Sequence, residues 1–459
     1  MNFRSKMAGS VLTLLVAATT IGGAQAQSIT QALTAAYEHA PDLQSALLSA
    51  RASAENIALA KSAKLPTIAG AISGNYDWTV GRASLANPSG DFNGTTSVTA
   101  GLSYNQTIFD NFKTEAQIEA ARAGAEAAEY QIRNTEQNIL LAVVQAYMDV
   151  LSNRQLVALS QENINFYTAQ LQSSRDRLDV GEGTRIDVAQ AEARLAQGQA
   201  SYQASLSGLE ISKATFQRYV GVAPSNLSAT HNFSRLIPNS LQAAIAEAEI
   251  GHPAILLSKA AIRAAQAGSD AASAAFGPTA SINGSIGTGL ASQGGSQGVS
   301  GRLGFQISVP IYAGGAIGAS VRKANIEQIK SEVDAMSAYD QIRAAVIASW
   351  AGIQSADAQI SAAQSAVSAS REVLAGVIQE RDLGTRTTLD VLNSQADLTT
   401  ASIGLINAST NKVVATFSLL SALGRLTASD LGLPVQVKSA VGYTQAVQDV
   451  WQELRTVAE

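Results

Sequence analysis

Little in this chain is equipped for bond-making chemistry. Cysteine is absent, which excludes disulfides, thiolate metal sites and thiol nucleophiles. His39, His231 and His252 are scattered without metal-ligand spacing. Two of them stand just before a proline at a helix start, where they read as surface or cap residues. No nucleophile–base pair, metal cluster or phosphate-binding loop is visible, so neither catalysis nor a cofactor is expected. The charged residues that recur in pattern are Asp187 and Asp390, with Arg386 beside the second. Val180-Gly181-Glu182-Gly183-Thr184-Arg185-Ile186-Asp187-Val188 is answered 203 positions later by Leu383-Gly384-Thr385-Arg386-Thr387-Thr388-Leu389-Asp390-Val391. In each copy the Asp stands six residues past the Gly. Such residues can attract, repel and cap. A surface Asp or Arg at a helix end is ordinarily a solvated charge, and an Asp three residues into a helix also suits the helix dipole.

Each copy must be a turn between two long helices. Gly accepts the positive φ that ends a helix, and a Thr within three residues is fit to start the next. The duplication extends further. Pro41-Asp42-Leu43 has its counterpart at Pro253-Ala254-Ile255, and Lys64-Leu65-Pro66-Thr67 at Phe276-Gly277-Pro278-Thr279. A repeat near 200 residues is too long for a solenoid unit, so one half of the chain has been doubled. Residues 27–238 form the first copy, with a hairpin at about 67–108, a long helix at about 111–180 and a return helix at about 184–220. Residues 239–424 form the second, with a hairpin at about 279–312, a long helix at about 314–382 and a return helix at about 387–423. Residues 425–459 are a tail without a clear pattern. In the long helices Ile118, Ala125, Ile132, Ile139 and Ala146 keep a seven-residue spacing, as do Val346, Ile353, Ile360, Val367 and Leu374. Heptads imply coiled-coil packing.

The hairpins alternate with period two. Ile68, Ile72, Tyr76 and Trp78 oppose Thr67, Ser73, Asn75 and Asp77, while Leu102 and Tyr104 oppose Ser103 and Asn105. Ile282, Phe305 and Ile307 oppose Asn283, Arg302, Gln306 and Ser308 in the second copy. Such strands are longer than the five or six residues usual in soluble proteins and match bilayer-crossing strands. Their apolar face, with Ile72, Tyr76, Trp78, Leu102, Tyr104, Ile282, Phe305 and Ile307, is expected to meet lipid, and the Ser/Thr/Asn face a wet lumen. Four strands cannot close a barrel, and an open edge cannot sit in lipid, so the chain must oligomerise.

A charged fraction of 15% and a net charge of −5 give no case for nucleic-acid binding. Arg4 and Lys6, the apolar stretch from Met7 to Ile21 and Ala24-Gln25-Ala26 read as a secretory signal over residues 1–26.

The order helix, helix, hairpin, long helix, Gly turn, helix, stated twice, resembles the TolC family of outer-membrane efflux proteins. So do the Val-Gly-x5-Asp-Val and Leu-Gly-Thr-Arg-x3-Asp-Val turns, and the strand end Ile307-Ser308-Val309-Pro310-Ile311-Tyr312-Ala313-Gly314-Gly315. The match spans the mature chain. It implies a mainly α fold with four β-strands: a duplicated long-helix coiled-coil tunnel, and a transmembrane β-barrel of 12 strands completed by a homotrimer. It implies a passive exit duct in the outer membrane of a Gram-negative bacterium, with a long periplasmic extension. Such a duct docks through a periplasmic membrane fusion (adaptor) protein onto an inner-membrane RND or ABC transporter, for drug efflux or type I secretion.

Carried over, Val180, Gly181, Leu383, Gly384 and Thr385 would form the adaptor-facing tip. Asp187, Arg386 and Asp390 would form the gate, with an Arg386–Asp187 pair as latch and Asp390 as the pore-ring acid. The second acidic ring position is Asn393, so the ring should carry three charges rather than six. The family's tip Tyr position holds Arg381, and the Thr before the first-turn Asp is replaced by Ile186. The competing reading is a periplasmic structural or adaptor-like coiled-coil protein, which has no need of lipid-facing strands.

Overall fold

The computed structural model describes residues 27–81, 92–228, 232–291 and 298–448; the expected signal, His231 and Trp451 lie outside them. Ser28 caps the first helix, α1 (Ile29–His39), through a capping box with Gln31. Pro41 then opens α2 (Pro41–Ser62), since a proline in the first turn loses no hydrogen bond. Strands β1 (Thr67–Val80) and β2 (Phe92–Phe109) follow, then α3 (Lys113–Asp179) and α4 (Arg185–Val220). The same order recurs as α5 (Leu241–Gly251), α6 (Pro253–Ser273), β3 (Thr279–Ala291), β4 (Val299–Ser308), α7 (Ala316–Asp382) and α8 (Thr388–Ala422). A short α9 (Val441–Val447) lies in the tail.

Helices α3 and α7 have 67 residues each, about 100 Å at ~1.5 Å per residue. Helices α2 and α4 both lie along α3, α8 lies along α7, and α6 runs against both long helices. The heptad residues Ala125, Ile132, Ile139 and Ala146 are buried, as are Val346, Val367 and Leu374. The main apolar core sits where α1, α2 and the middle of α3 meet the ends of α4 and α8.

The tail, patternless in sequence, completes that core with Leu426, Leu431, Leu433 and Ala440. It is pinned by polar contacts: the backbone N–H of Ala428 donates to Glu136. The N–H of Ala440 donates to Glu129 at 2.8 Å, and the Tyr443 hydroxyl donates to Glu55 at 2.6 Å. Burial pushes the Glu136 carboxyl up to about 7.

The four strands form one antiparallel sheet in the order β1-β2-β3-β4, with β1 and β4 as its edges. β4 ends at Ser308, short of the 312 expected from sequence, because Pro310 has no N–H to continue a ladder. The long helix starts at Lys113 rather than 111, because Asn111 and Phe112 both take positive φ, 56° and 65°. Gly314 and Gly315 make the same turn in the second copy at 61° and 82°. Non-glycine residues rarely adopt this conformation. Asn111 is helped by donating its side-chain amide to the Ala274 carbonyl at 3.1 Å, and Phe112 by an edge contact with Phe109 at 5.8 Å between ring centres.

Candidate functional site

The two turns at the far ends of the long helices are built alike. Gly181 and Gly384 both have φ of +81°. The N–H of Glu182 closes back on the Arg177 carbonyl at 2.8 Å, and that of Thr385 on Glu380 at 2.9 Å, which is the Schellman pattern. Val180 and Leu383 are left 72% and 81% exposed at the extremity, so they contribute nothing to the core.

Thr184 and Thr387 cap the return helices. Asp187 and Asp390 face back to complete the boxes, each accepting from the backbone N–H and the hydroxyl of its Thr. Those donations from Thr387 hold the Asp390 carboxyl below the usual carboxylate range, with a smaller contribution from Arg386.

Arg386 does not reach Asp187. Both line a cleft between the two turns, but Arg386 Nε donates to Glu380 Oε2 at 2.8 Å, across its own turn. The Schellman closure brings Glu380 back beside Arg386, and Asp187 has committed its carboxylate to Thr184. The exposed Arg386–Glu380 pair adds little to the joint between helix pairs.

What joins the pairs within the chain is a set of side chains that sequence reading passed over or treated as departures. Gln395 on α8 donates from Nε2 to Asn163 Oδ1 on α3 at 2.7 Å, and the Thr399 hydroxyl donates to the same oxygen at 2.9 Å. Arg381 on α7 donates through Nη1 to Gln170 on α3 and through Nη2 to Asp382 at 2.6 Å. Arg194 on α4 donates to Asn393 on α8 at 2.9 Å. Asn163, Gln170, Arg381 and Gln395 are all buried. The seam of α3 is therefore apolar through Ile132, Ile139, Val143 and Val150 and becomes mixed toward the tip, where buried Asn163, Gln170 and Ser174 are interleaved with Tyr167 and Leu171, which pack against Ala191 and Leu392. The seven-residue spacing of Asn163 and Gln170 was the signal available in sequence.

At the other end of the molecule the sheet separates its residues by face. The register pairs Ile72 with Ala100, Leu102 with Ile286 and Ile282 with Phe305. This places Ile72, Tyr76, Trp78, Leu102, Tyr104, Ile282, Phe305 and Ile307 on one apolar face. A bulge at Thr107/Phe109 turns Phe109 onto it as well. The face has aromatic rims: Tyr104, Phe109 and Phe305 at the helix end, and Tyr76, Trp78 and Phe92 at the other, where Trp78 and Phe92 stack at 6.4 Å. Trp78 lies ten residues beyond Ile68, the partner of Tyr104. That is about 33 Å along the strand, or ~25 Å across at the usual barrel tilt. Gln106 also falls on this face at the helix-end rim, where it accepts from Tyr104 and donates to the Lys64 carbonyl at 3.2 Å. The opposite face is concave and lined by Ser73, Thr99, Ser103, Ser285, Ser300 and Arg302; Ser73 and Thr99 share a hydrogen bond of 2.8 Å.

A sheet with a lipid-height apolar face, joined to helices of about 100 Å, matches one family. The family model of outer membrane efflux proteins covers residues 32–222 and 244–425. The chain belongs to that family. It is 37% identical over 449 residues to the outer membrane efflux protein BepC of Brucella suis, covering 96% of each chain. It is 26% identical over 432 residues to the outer membrane protein TolC of Escherichia coli, covering 89% of this chain and 84% of TolC. The fold is that of the CmeC outer membrane channel of Campylobacter jejuni, with a TM-score of 0.77 at 16% identity, covering 92% of this chain and 89% of that one. The protein is thus an outer-membrane exit duct with a long periplasmic helical tunnel. Its family consists of channel proteins, not enzymes.

Proposed function

We propose that three copies of the chain, four strands each, close one twelve-stranded barrel. The assembled homotrimer is then a passive duct, shut at its periplasmic tips and opened when a membrane fusion (adaptor) protein docks there with an inner-membrane RND or ABC transporter. The observation that carries this reading is the sheet. Its apolar face must meet lipid, while among the described residues the outer edges of β1 and β4 have no partner, and unpaired edges are not tolerated in a bilayer. Other copies of the same chain supply partners of matching length and pattern.

The tips support the docking half of the proposal. Val180 and Leu383 expose apolar side chains at the end of a long polar column, and Gly181 and Gly384 have nothing within 4 Å of where a Cβ would stand, so a partner's backbone has room to approach. Asp390 is the charge each copy brings toward the axis. Asn393 accepts from Arg194 instead, leaving one acid per copy. The closed state is held within each copy by the polar seam of Asn163, Gln170, Arg194, Arg381, Asn393, Gln395 and Thr399.

The mass of the detergent-solubilised protein tests the assembly. Three mature chains are expected; a monodisperse monomer carrying detergent refutes the barrel. Co-purification of an adaptor with its transporter tests the docking and separates drug efflux from type I secretion.

A further inference from the structure

The concave face of the sheet is almost uncharged. Within the four strands only Asp77 and Arg302 carry charge, and the register puts both on this face, Asp77 opposite Thr95 and Arg302 opposite Ser285. Ser285 lies beside Ser103, and Ser103 beside Ala69, so Arg302 stands level with a point on β1 eight residues from Asp77. At ~3.3 Å per residue that is about 26 Å, beyond the ~10 Å over which charges act through 0.1 M salt. Within one copy, Asp77 therefore does not neutralise Arg302. Among the described residues no carboxylate lies within ion-pair distance of Arg302, and the residues beside it on this face, Ser285 across the ladder and Ser300 along the strand, are neutral.

We propose that Arg302 sets the charge preference of the barrel lumen, favouring anionic solutes. The inference rests on the trimeric reading above: each copy contributes one Arg302 at the same height, making a cationic ring on the wall. Twelve strands spaced ~4.8 Å apart and tilted by ~40° give a backbone radius of about 12 Å. At 0.1 M salt the ring's field, with its ~10 Å decay, fills that lumen; at 1 M the decay is ~3 Å and the field hugs the wall. Cargo bearing carboxylate or phosphate groups would gain local concentration at this point; cationic cargo would be disfavoured.

The test is the zero-current potential across a planar bilayer under a KCl gradient near 0.1 M, which reports the chloride-to-potassium permeability ratio. It is made in the Asp390→Ala background, so that charge at the tip does not set the selectivity. Arg302→Gln is expected to lower the ratio about two- to threefold, Arg302→Glu further, and Arg302→Lys not at all, with the differences fading near 1 M. Equal ratios for the parent and Arg302→Gln in low salt overturn the proposal. The solution mass of the same preparations keeps the two readings apart: a monomer sinks the trimer, whereas a trimer with unaltered selectivity sinks only the role of Arg302.

Discussion

Asn163 and Gln395 stand 232 positions apart in the chain and 2.7 Å apart in space, joined side chain to side chain in a buried seam between α3 and α8. Their place near the tip has a physical rationale. An apolar seam loses hydrophobic stabilisation when its helices part. A polar seam exchanges its hydrogen bonds for bonds to water, so its net contribution is only ~0.5–1.5 kcal/mol per bond. On the gated reading proposed above, a joint that opens costs less to part when some of its contacts are polar. A partner left behind by mutation is costly, at ~1–3 kcal/mol for a buried group without water. The joint therefore has both definition and reversibility.

The strand faces give the sharpest test of register. Charge on the lipid face of a barrel costs ~2–4 kcal/mol at mid-bilayer and far less in the lumen. Ile72→Arg should block assembly of the proposed trimer, and Ser73→Arg should be tolerated. Equal yields of assembled protein would show the faces to be reversed or absent.

Glu136 gives the tail a pH dependence. Burial raises its carboxyl to about 7 in the folded chain, against an ordinary value of 4.5. The folded state thus holds the proton more tightly, and the resulting stability is full below pH 4.5 and lost as pH rises through 7. Glu136→Gln, which keeps an acceptor for the Ala428 N–H, should be close to neutral near pH 4. It should stabilise by about 3 kcal/mol near pH 8.5. Denaturation midpoints of both proteins at the two pH values check the sign; a variant less stable at high pH would show that the buried carboxylate is satisfied as an anion.

Val180 and Leu383 should matter to a partner and not to the fold. Val180→Ser with Leu383→Ser should leave the thermal midpoint unchanged while reducing recovery of the adaptor in pull-downs. Thr387→Ala, by contrast, removes a helix cap and should cost about 1 kcal/mol. A double-serine variant that retains its adaptor places the docking surface elsewhere.

Asp390 should confer cation block. In a trimer three such carboxylates approach the axis, and a multivalent cation added from the periplasmic side should close the current. Asp390→Ala should abolish the block and leave the opposite side insensitive as before. Persistent block in the variant would mean that another group lines the constriction.

Much of this architecture is legible in the sequence. The period-two strands placed Ile72 and Leu102 on one face, and the Gly-to-Thr spacing placed both turns and both caps. Legibility failed where the outcome depends on side-chain direction. Arg386 could reach Asp187 or Asp390 by spacing alone, but the Schellman closure carries Glu380 to it. Arg381 and Asn393 looked like losses when compared with the family's residues; in place they form bonds to Gln170 and Arg194. The tail carried no period because the part before α9 packs as irregular chain, through Leu426 and Leu433, against the helices of the core.

Single-channel conductance in planar bilayers tests the gated duct most directly. The polar seam predicts a small conductance for the wild type and a larger one for Arg381→Ala and for Asn163→Ala, with Arg386→Ser close to wild type. If Arg386→Ser opens the channel while Arg381→Ala and Asn163→Ala leave it shut, the seam between α3 and the second helix pair is not what holds the tip closed.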